Sequence, residues 1–411
     1  FTQQPAYGNV TINGLSNVIY TPSTNYLGKD TFKYTITDEN GTSGEATVSI
    51  NITDPNNPCS NCTNTFPNGG GDIHVGAGQI YCLNSGTFTG RFSLESGGII
   101  CIAEGATFTP SDAPLNGVFN GTFINRGTVS FHLYNNNTYT ATIENYGTYT
   151  TTNVQNFAGT IHNYGTFNMP SGNVWLLSSA SIINQGKMSL MQLTSNGATI
   201  TNHDTLTING GLNVNAGFWN NTVGGVLKVN MTSTDNNVNF IGDIDNSGFW
   251  QFARLSVYSG HLNNYGHMQV FNTVNSISTN TYLTNDSLFE FINVPDVQFN
   301  GPLLTNNGRM TIQHGSAGNL KLNMAINQID NNGIIIVTGQ VQHNMAGSKI
   351  INNCSIVCKD FFVGNGTTQN NGLIWATDYF QIEGAASKLS SSVNGFVRGN
   401  RFRNSGHITG F

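Results

Sequence analysis

Asp243 and Asp245 are a pair of carboxylates whose spacing suits acid–base chemistry. They lie two residues apart in the segment IGDIDNSG, and side chains at that spacing project from the same face of a strand. Glycoside hydrolysis uses two carboxyl groups, one as general acid and one as base or nucleophile. A turn of this composition also needs acidic or amide side chains to bond its own backbone, and we expect that structural role. We therefore predict no catalytic residue, and keep a polysaccharide lyase or glycoside hydrolase as the alternative hypothesis.

Two other groups of polar side chains are candidates for chemistry or binding. His203 and Asp204 are adjacent in sequence, which does not by itself make a catalytic dyad. Arg398, Arg401 and Arg403 form a basic cluster that suits an acidic glycan or, more simply, a solvated rim. We predict neither a bound metal nor a cofactor.

Three tyrosines each follow an Asn of a repeated segment, of which IENYGTYTT and IHNYGTFNM are two copies: Tyr146, Tyr164 and Tyr265. If the copies stack, the rings of Tyr146 and Tyr164 lie above one another. A sugar ring can bind to exposed aromatic rings, but a purely structural aromatic stack is the simpler expectation.

Threonines at alternate positions form a third pattern. Thr138, Thr140 and Thr142, with Thr148 and Thr150, resemble the TxT strands of ice-binding proteins. Such a site needs a flat array repeated on many turns, and the sequence motif stops here. We therefore do not expect ice binding.

The composition narrows the class of protein that must position these residues. Of 411 residues, 9% are charged and 38% hydrophobic, with 48 Gly and 61 Asn. The 25 Phe and 14 Tyr supply more apolar surface than a disordered chain carries. A net charge of −6 with 15 scattered basic residues predicts no nucleic-acid partner, and no apolar run approaches the roughly 18 residues of a membrane span. We expect a soluble chain that is not membrane-inserted.

Residues 1–54 alternate apolar and polar side chains between turn signals, which is typical of antiparallel strands. The motifs YTP, GKDTFKY and DENG at Tyr20, Gly28 and Asp38 resemble the second half of a bacterial cadherin-like, Ig-like repeat. The resemblance implies a partial β-sandwich that is the C-terminal half of such a repeat. Because half a sandwich cannot close its core, we expect the polypeptide to extend upstream.

A Cys-containing linker is predicted at 55–66, and a repeat array follows at 67–411. Its units share the frame apolar-x-Asn-x-Gly at intervals of 17 to 26 residues, apart from one longer gap at the end. The asparagines in this frame are Asn125, Asn145, Asn163, Asn184, Asn202, Asn220, Asn246, Asn264, Asn285, Asn306, Asn331, Asn353, Asn370 and Asn404.

A unit of about 20 residues cannot bury its own apolar face, so the units must stack as turns of a solenoid. Apolar residues at alternate positions after each Asn predict strands about 4.8 Å apart, with continuous apolar columns inside. This is an all-β fold, a parallel β-helix that is right-handed by the crossover rule. Each Asn should occupy a corner and bond the Asn of the turns above and below, forming an internal structural ladder.

Six cysteines complete the pattern. Cys62, Cys82 and Cys101 follow one another at intervals of about one turn. Cys59 is close in sequence to Cys62, and Cys354 is close to Cys358. Zinc is the alternative for a CxxC pair, but disulfides in an oxidising compartment fit better because no second ligand pair lies nearby. The preferred pairings are Cys82 with Cys101 and Cys59 with Cys62, and Cys354 with Cys358 is a third close pair. The connectivity stays open at this stage.

A second resemblance covers residues 59–110, where CxxC is followed by Gly-rich strands. The segment resembles the entry to β-helical surface proteins secreted by gliding and marine Bacteroidota. That resemblance implies export by type 9 secretion through machinery of the outer membrane, and a role that includes gliding motility. Asp204-Thr205-Leu206 and Asp286-Ser287-Leu288 resemble the short O-glycosylation motif of the same phylum, which makes Thr205 and Ser287 candidate glycosylation sites.

Few charges, a tandem layout and dispersed titratable groups favour a non-enzymatic extracellular protein at the cell surface. We predict an adhesin or stalk segment whose partner is a surface polysaccharide or another macromolecule.

Overall fold

The computed structural model describes residues 1–14, 17–23, 26, 28–39, 41–52, 58–134, 137–230, 238–315 and 317–410. These residues form β-strands and two short 3-10 turns, Pro58–Ser60 and Leu115–Gly117. The all-β class predicted from the alternating sequence pattern is confirmed.

The N-terminal segment is built from antiparallel strands. Its strands are Gly8–Ile12, Val18–Pro22, Gly28–Tyr34, Thr37–Asp38, Gly41–Thr42 and Ala46–Ile52. The buried Asp30 carboxylate accepts hydrogen bonds from the backbone N–H groups of Ala6 and Tyr7 and from the Tyr20 hydroxyl. Burial, together with that bond to Asp30, raises the pKa of Tyr20 to about 12. A buried carboxylate is costly unless it is fully bonded, so Asp30 fixes this packing.

The linker predicted at 55–66 overlaps the start of the solenoid. Residues 55–57 lie outside the described residues, Pro58–Ser60 is a 3-10 turn, and Asn64–Thr65 already pairs with Tyr81 and Cys82.

The rest of the chain is a parallel β-helix, as predicted. Its strands are Asn64–Thr65, Asp72–Val75, Ile80–Leu83, Thr87–Phe88, Arg91–Leu94, Ile99–Ile102, Thr107–Phe108, Thr122–Asn125, Thr128–Ser130, Thr142–Asn145, Thr148–Thr150, Val154–Phe157, Thr160–Asn163, Thr166–Met169, Val174–Leu176, Ser181–Asn184, Lys187–Leu190, Leu193–Asn202, Thr205–Ile208, Leu212–Asn221, Val226–Val229, Val238–Ile241, Asp243–Asn246, Phe249–Asn264, His267–Asn285, Leu288–Ile292, Asp296–Phe299, Leu303–Asn306, Arg309–Gln313, Asn319–Leu322, Gln328–Asn331, Ile334–His343, Lys349–Asn352, Ser355–Val363, Thr367–Asn370, Leu373–Ile382, Lys388–Ser391, Phe396–Asn404 and His407–Thr409.

Each turn has three faces, which one turn illustrates. Thr142–Asn145 belongs to face A, Thr148–Thr150 to face B and Val154–Phe157 to face C. The next turn repeats the order, and its strands pair in parallel with those of the turn before, Asn145 opposite Asn163 and Tyr149 opposite Phe167. Several longer strands run around a corner and serve two or three faces.

Inward side chains stack into apolar columns because parallel strands in register place like residues above one another. Phe380 stacks on its register partners Phe361 and Phe402 at 5.2 Å each, and Tyr149 stacks on Phe167 at 4.9 Å. Burying one such side chain contributes about 1.5 to 3 kcal/mol. The apolar period of two in the sequence therefore becomes one continuous core.

At the corner between faces A and B, buried asparagines form an unbroken column. Asn145 donates from Nδ2 to Asn163 Oδ1 at 2.7 Å and to the carbonyl of Thr166, and its own Oδ1 accepts from Asn125 at 2.7 Å. Members of this inner ladder, joined by Nδ2–Oδ1 bonds of 2.7 to 2.8 Å, are Asn125, Asn145, Asn163, Asn184, Asn202, Asn221, Asn246, Asn264, Asn285, Asn306, Asn331, Asn352 and Asn370.

Three positions of the predicted frame need correction. Asn221 and Asn352 occupy the ladder, whereas the frame selected their neighbours, Asn220 and Asn353. Side chains alternate along a strand, so the inward Asn lies two residues after the buried Trp219 or Ile350. The third, Asn404, is opposite Ile382 on face C.

A second amide column, which we call the outer ladder, runs along the exposed side of the same corner. It comprises Asp286, Asn307, Asn332, Asn353 and Asn371. Each Asn donates from Nδ2 to the Oδ1 of the preceding turn at 2.6 to 2.8 Å. This direction is opposite to that of the inner ladder.

The cysteines form disulfides with a different connectivity from the preferred one. Cys59 bonds Cys101 and Cys62 bonds Cys82. Cys82 and Cys101 are neighbours in register on face A, as their spacing predicts, but the 3-10 turn Pro58–Ser60 places Cys59 and Cys62 against them. The N-terminal turns are thereby clasped together.

The predicted pair Cys354 and Cys358 is wrong, because both thiols are free. Cys354 is exposed at a corner, and Cys358 points into the core from the following strand, Ser355–Val363. Four residues along a strand span about 13 Å, well beyond the roughly 7 Å limit between the Cα atoms of a disulfide.

Candidate functional site

The two carboxylates at Asp243 and Asp245 lie on the outside of face A, on the strand Asp243–Asn246. Asp243 accepts hydrogen bonds at 2.9 Å from the ring Nδ1 and the backbone N–H of His261 on the next turn. Asp245 accepts from Asn263 Nδ2 at 2.9 Å. The bond from His261 lowers the pKa of Asp243. Because a general acid must stay protonated near the working pH, Asp243 is poorly suited to that role.

His203 and Asp204 bond to different partners. The ring Nδ1 of His203 lies 3.0 Å from the Thr222 hydroxyl, and Asp204 accepts from the Thr205 hydroxyl at 3.0 Å. Burial lowers the pKa of His203. The arrangement ties neighbouring residues and turns together.

The tyrosine stack predicted from the repeat is present. The rings of Tyr146 and Tyr164 lie 4.7 Å apart and within 2° of parallel, and the Arg126 guanidinium covers Tyr146 at 4.5 Å. Burial raises the pKa of Tyr146, and the carboxylate of Glu144, which accepts its hydroxyl, adds to the shift. Tyr164 covers one face of the Tyr146 ring and Arg126 covers the other, so Tyr146 offers no open face to a sugar. Tyr265 is separate and half exposed.

The arginine cluster is paired with residues of the preceding turn. The Arg401 guanidinium lies 3.6 Å from the Tyr379 ring centroid and bonds Asp378, and Arg398 covers Trp375 at 5.0 Å. Arg403 approaches Glu383 at 3.5 Å. Because these guanidinium groups already contact acidic or aromatic side chains, the cluster has less positive charge available for a ligand than the sequence indicates.

The two candidate glycosylation residues are half-buried and lie beside acidic corner residues. Thr205 donates its hydroxyl to Asp204, and Ser287 follows Asp286 at the start of the outer ladder. Their modification stays a prediction.

A groove of about 250 Å³ opens on face C, and sequence reasoning missed it. The strands Ile334–His343, Ser355–Val363 and Leu373–Ile382 build it by placing Gln340 opposite Asp360 and Gln342 opposite Phe362. Its lining residues are Gln340, Gln342, Asp360, Phe361, Phe362, Tyr379 and Gln381. The alternation of Gln, Asp and Tyr with buried residues was the available signal.

The polar groups of this groove are held in fixed positions. Asp360 accepts from the Tyr379 backbone N–H at 3.1 Å and from Gln340 Nε2 at 3.2 Å, and Gln342 donates to Gln340 Oε1. The Tyr379 ring is partly exposed, with Arg401 against one face. Ordered amides, one carboxylate and an aromatic ring can bind sugar hydroxyls and the apolar side of a sugar ring.

Within the described ranges, no three His, Cys, Asp or Glu side chains converge as metal ligands, and no helix is long and apolar enough to span a membrane.

Residues 1–51 match the family model described as bacterial Ig domain. No curated protein and no solved structure matches the chain. An Ig-like segment followed by a disulfide-bonded β-helix is an architecture that fits an extracellular surface or adhesin-like protein.

Proposed function

We propose that this chain is part of a cell-surface adhesin that binds polysaccharide through the face C groove without cleaving it. The observation that carries the proposal is the fixed set of donors and acceptors around Asp360, beside the partly exposed ring of Tyr379. A preorganised set of polar groups loses little conformational entropy on binding.

The repeating geometry supports an extended ligand. Gln342, Phe362 and Gln381 are neighbours in register, so one amide lies on each side of an apolar ring and the two amides are two strand steps, or roughly 9.6 Å, apart. A glycan chain lying along the stack would meet donors and acceptors on each turn. Many weak contacts of this kind suit adhesion, in which affinity comes from multiple sites.

Binding without turnover is supported by the charges of the groove. Asp360 is the acid among its described lining residues, whereas glycoside hydrolysis uses two carboxyl groups. On face A, Asp243 and Asp245 are both engaged with the next turn. Resemblance to Bacteroidota surface proteins extends the proposal to type 9 secretion and a role in gliding motility.

The test combines binding and product release. Immobilised neutral and uronate-containing polysaccharides are incubated with the chain, with the variant Gln340→Ala/Tyr379→Ala, and with Tyr265→Ala as a matched control. We expect binding that falls at least tenfold in the groove variant and is unchanged in the control.

New reducing ends or unsaturated uronates in the same samples report cleavage. Their appearance with the unmodified chain, and their loss in Asp243→Asn/Asp245→Asn, would replace the adhesin proposal with the hydrolase or lyase hypothesis. Equal binding by the groove variant would show that the groove is not the site.

A further inference from the structure

Face B carries two parallel rows of short polar side chains on its outer surface, all of them Thr or Ser except Asn168. In the first row, Thr87 pairs with Thr107, Thr107 with Thr128, Thr128 with Thr148, and Thr148 with Thr166. Two residues further along each turn, the second row contains Thr89, Thr109, Ser130, Thr150 and Asn168. We call these two rows the threonine array.

The array is longer than its sequence motif indicates. The strands concerned are separated by unequal intervals, so the threonines come into line only in the parallel register. Thr148 and Thr150 belong to the array. Thr142 lies on face A, and Thr138 and Thr140 precede Thr142 in the chain. The sequence motif alone predicts that the pattern stops, whereas the parallel register continues its first row over five turns, from Thr87 to Thr166.

The surface is firmly supported from behind. The residues between the two rows point inward and are at most 1% exposed, namely Phe88, Phe108, Val129, Tyr149 and Phe167. Phe88 stacks on Phe108 at 5.2 Å, and Tyr149 on Phe167 at 4.9 Å. The two disulfides clasp the first turns. Strands backed this way hold their outer side chains at a constant spacing.

The chemistry of the array is neutral and repetitive. Its members carry no charge, and Lys187 ends the first row at the next turn. In the described part of the chain, the hydroxyls of Thr128, Thr148 and Thr166 make no hydrogen bond to protein, so they are open to a ligand. A single hydroxyl gains little by exchanging water for another partner, so affinity here requires a ligand that repeats with the array.

We infer that the threonine array binds ice. The rungs repeat at about 4.8 Å, and hexagonal ice places equivalent oxygens along its basal axis at nearly the same spacing. Each threonine presents a methyl group, around which water is ordered, and a hydroxyl that anchors that water by a hydrogen bond. The array contributes neither an exposed aromatic ring nor a charged side chain, which polysaccharide recognition uses on face C. The ligand that fits is an ordered water lattice.

Ice partitioning tests the inference. The exposed Cys354 lies on turns remote in sequence from the array and allows a fluorescent label. A dilute solution is frozen slowly on a cold surface, and fluorescence in ice and liquid is compared with that of an inert labelled protein. We expect strong enrichment in ice, and slower recrystallisation of polycrystalline ice at micromolar concentration.

The central variant is Thr128→Lys/Thr148→Lys, which puts two long charged side chains into the middle of the array. Enrichment in ice should fall at least tenfold. Thr305→Lys, an outward position on face A, is the control and should partition like the unmodified chain. Circular dichroism and thermal midpoints establish that the variants fold.

Three results would overturn the inference: partitioning no greater than that of the inert protein, undiminished partitioning of the double variant, or loss of crystalline cellulose or chitin binding in that variant without any ice binding. The face C variant Gln340→Ala/Tyr379→Ala should keep its ice affinity, so this test is separate from that of the groove.

Discussion

Replacing Asn163 by Asp tests the inner ladder, because the substitution changes one donor group and almost no volume. Asn163 is fully buried, and its Nδ2 donates to Asn184 Oδ1 at 2.8 Å and to the Lys187 carbonyl at 3.1 Å. Its Oδ1 accepts from Asn145 at 2.7 Å. Nδ2 also lies 3.3 Å from the Gly165 carbonyl, so an aspartate keeps the accepted bond but faces three acceptor oxygens where the asparagine has two N–H donors.

The magnitude follows from these contacts. Two donated bonds are lost, at about 1 kcal/mol each, and a buried charge without a donor adds several kcal/mol unless the carboxyl is protonated. We expect a loss of about 3 to 5 kcal/mol at pH 7. Because the folded state favours the protonated carboxyl, its pKa lies above the unfolded value near 3.9. The loss should therefore shrink as the pH falls toward about 4, since a protonated carboxyl can donate one bond.

The outer ladder supplies the matched control. Asn332 likewise lies between two amides of its ladder, donating to Asn307 and accepting from Asn353, but it is exposed to water. Asn332→Asp should change stability by no more than about 0.5 kcal/mol. Denaturant midpoints and amide exchange near residue 165, measured at pH 7 and pH 4, compare the two variants. Equal shifts in both, or a shift in Asn163→Asp that ignores pH, would refute the idea of a buried, fully bonded column.

Three further predictions concern other buried groups. Iodoacetamide should modify Cys354 in the native chain but leave Cys358 unmodified until denaturant is added, because Cys358 is buried and its thiol pKa is raised by burial; mass mapping reads this out. Tyr149→Phe should stabilise the folded chain by about 1 kcal/mol and so raise its thermal midpoint, since the buried hydroxyl has no partner among the described residues. Burial lowers the pKa of His343 to about 3 from 6.5, so protonation favours the unfolded chain. As the pH is lowered from about 6.5 toward 3, the free energy of unfolding measured by denaturant titration should fall by at most about 1.4 kcal/mol per pH unit. The fall should be less steep in His343→Gln.

The fold was predictable because two local signals repeat together. An alternating apolar pattern specifies which side of each strand faces the core, and an Asn at each corner marks the register. Where two asparagines are adjacent, as at Asn352 and Asn353, the choice depends on which of Ile350 and Ile351 points inward. Which of the two residues points inward is set by the stacked turns, so it cannot be read from the sequence of a single unit.

The groove on face C was not predictable in the same way. Gln340, Asp360 and Tyr379 come from three different turns, and the inner ladder marks the corner between faces A and B rather than the register of face C. The disulfides show a related limit, since the spacing of Cys82 and Cys101 predicts that they are neighbours but not that a 3-10 turn brings Cys59 to one of them. The repeat period predicts which cysteines lie on neighbouring turns, whereas the irregular 3-10 turn decides which of them bond.

The separation between inward and outward positions explains why function can differ from face to face. Along face A, the inward residues are apolar or asparagine on most turns, as Ile143 and Asn145 show, and the late turns add the buried Thr368 and Ser391. The outward positions, by contrast, change from Thr142 to Asp243 to Lys349. Stability comes from the apolar columns and the inner ladder, so outward residues are free to vary without loss of the fold. A groove with fixed amides on face C and a neutral threonine array on face B can therefore coexist on one rod. Variants of either surface should leave the other unchanged, because the two share no side chain.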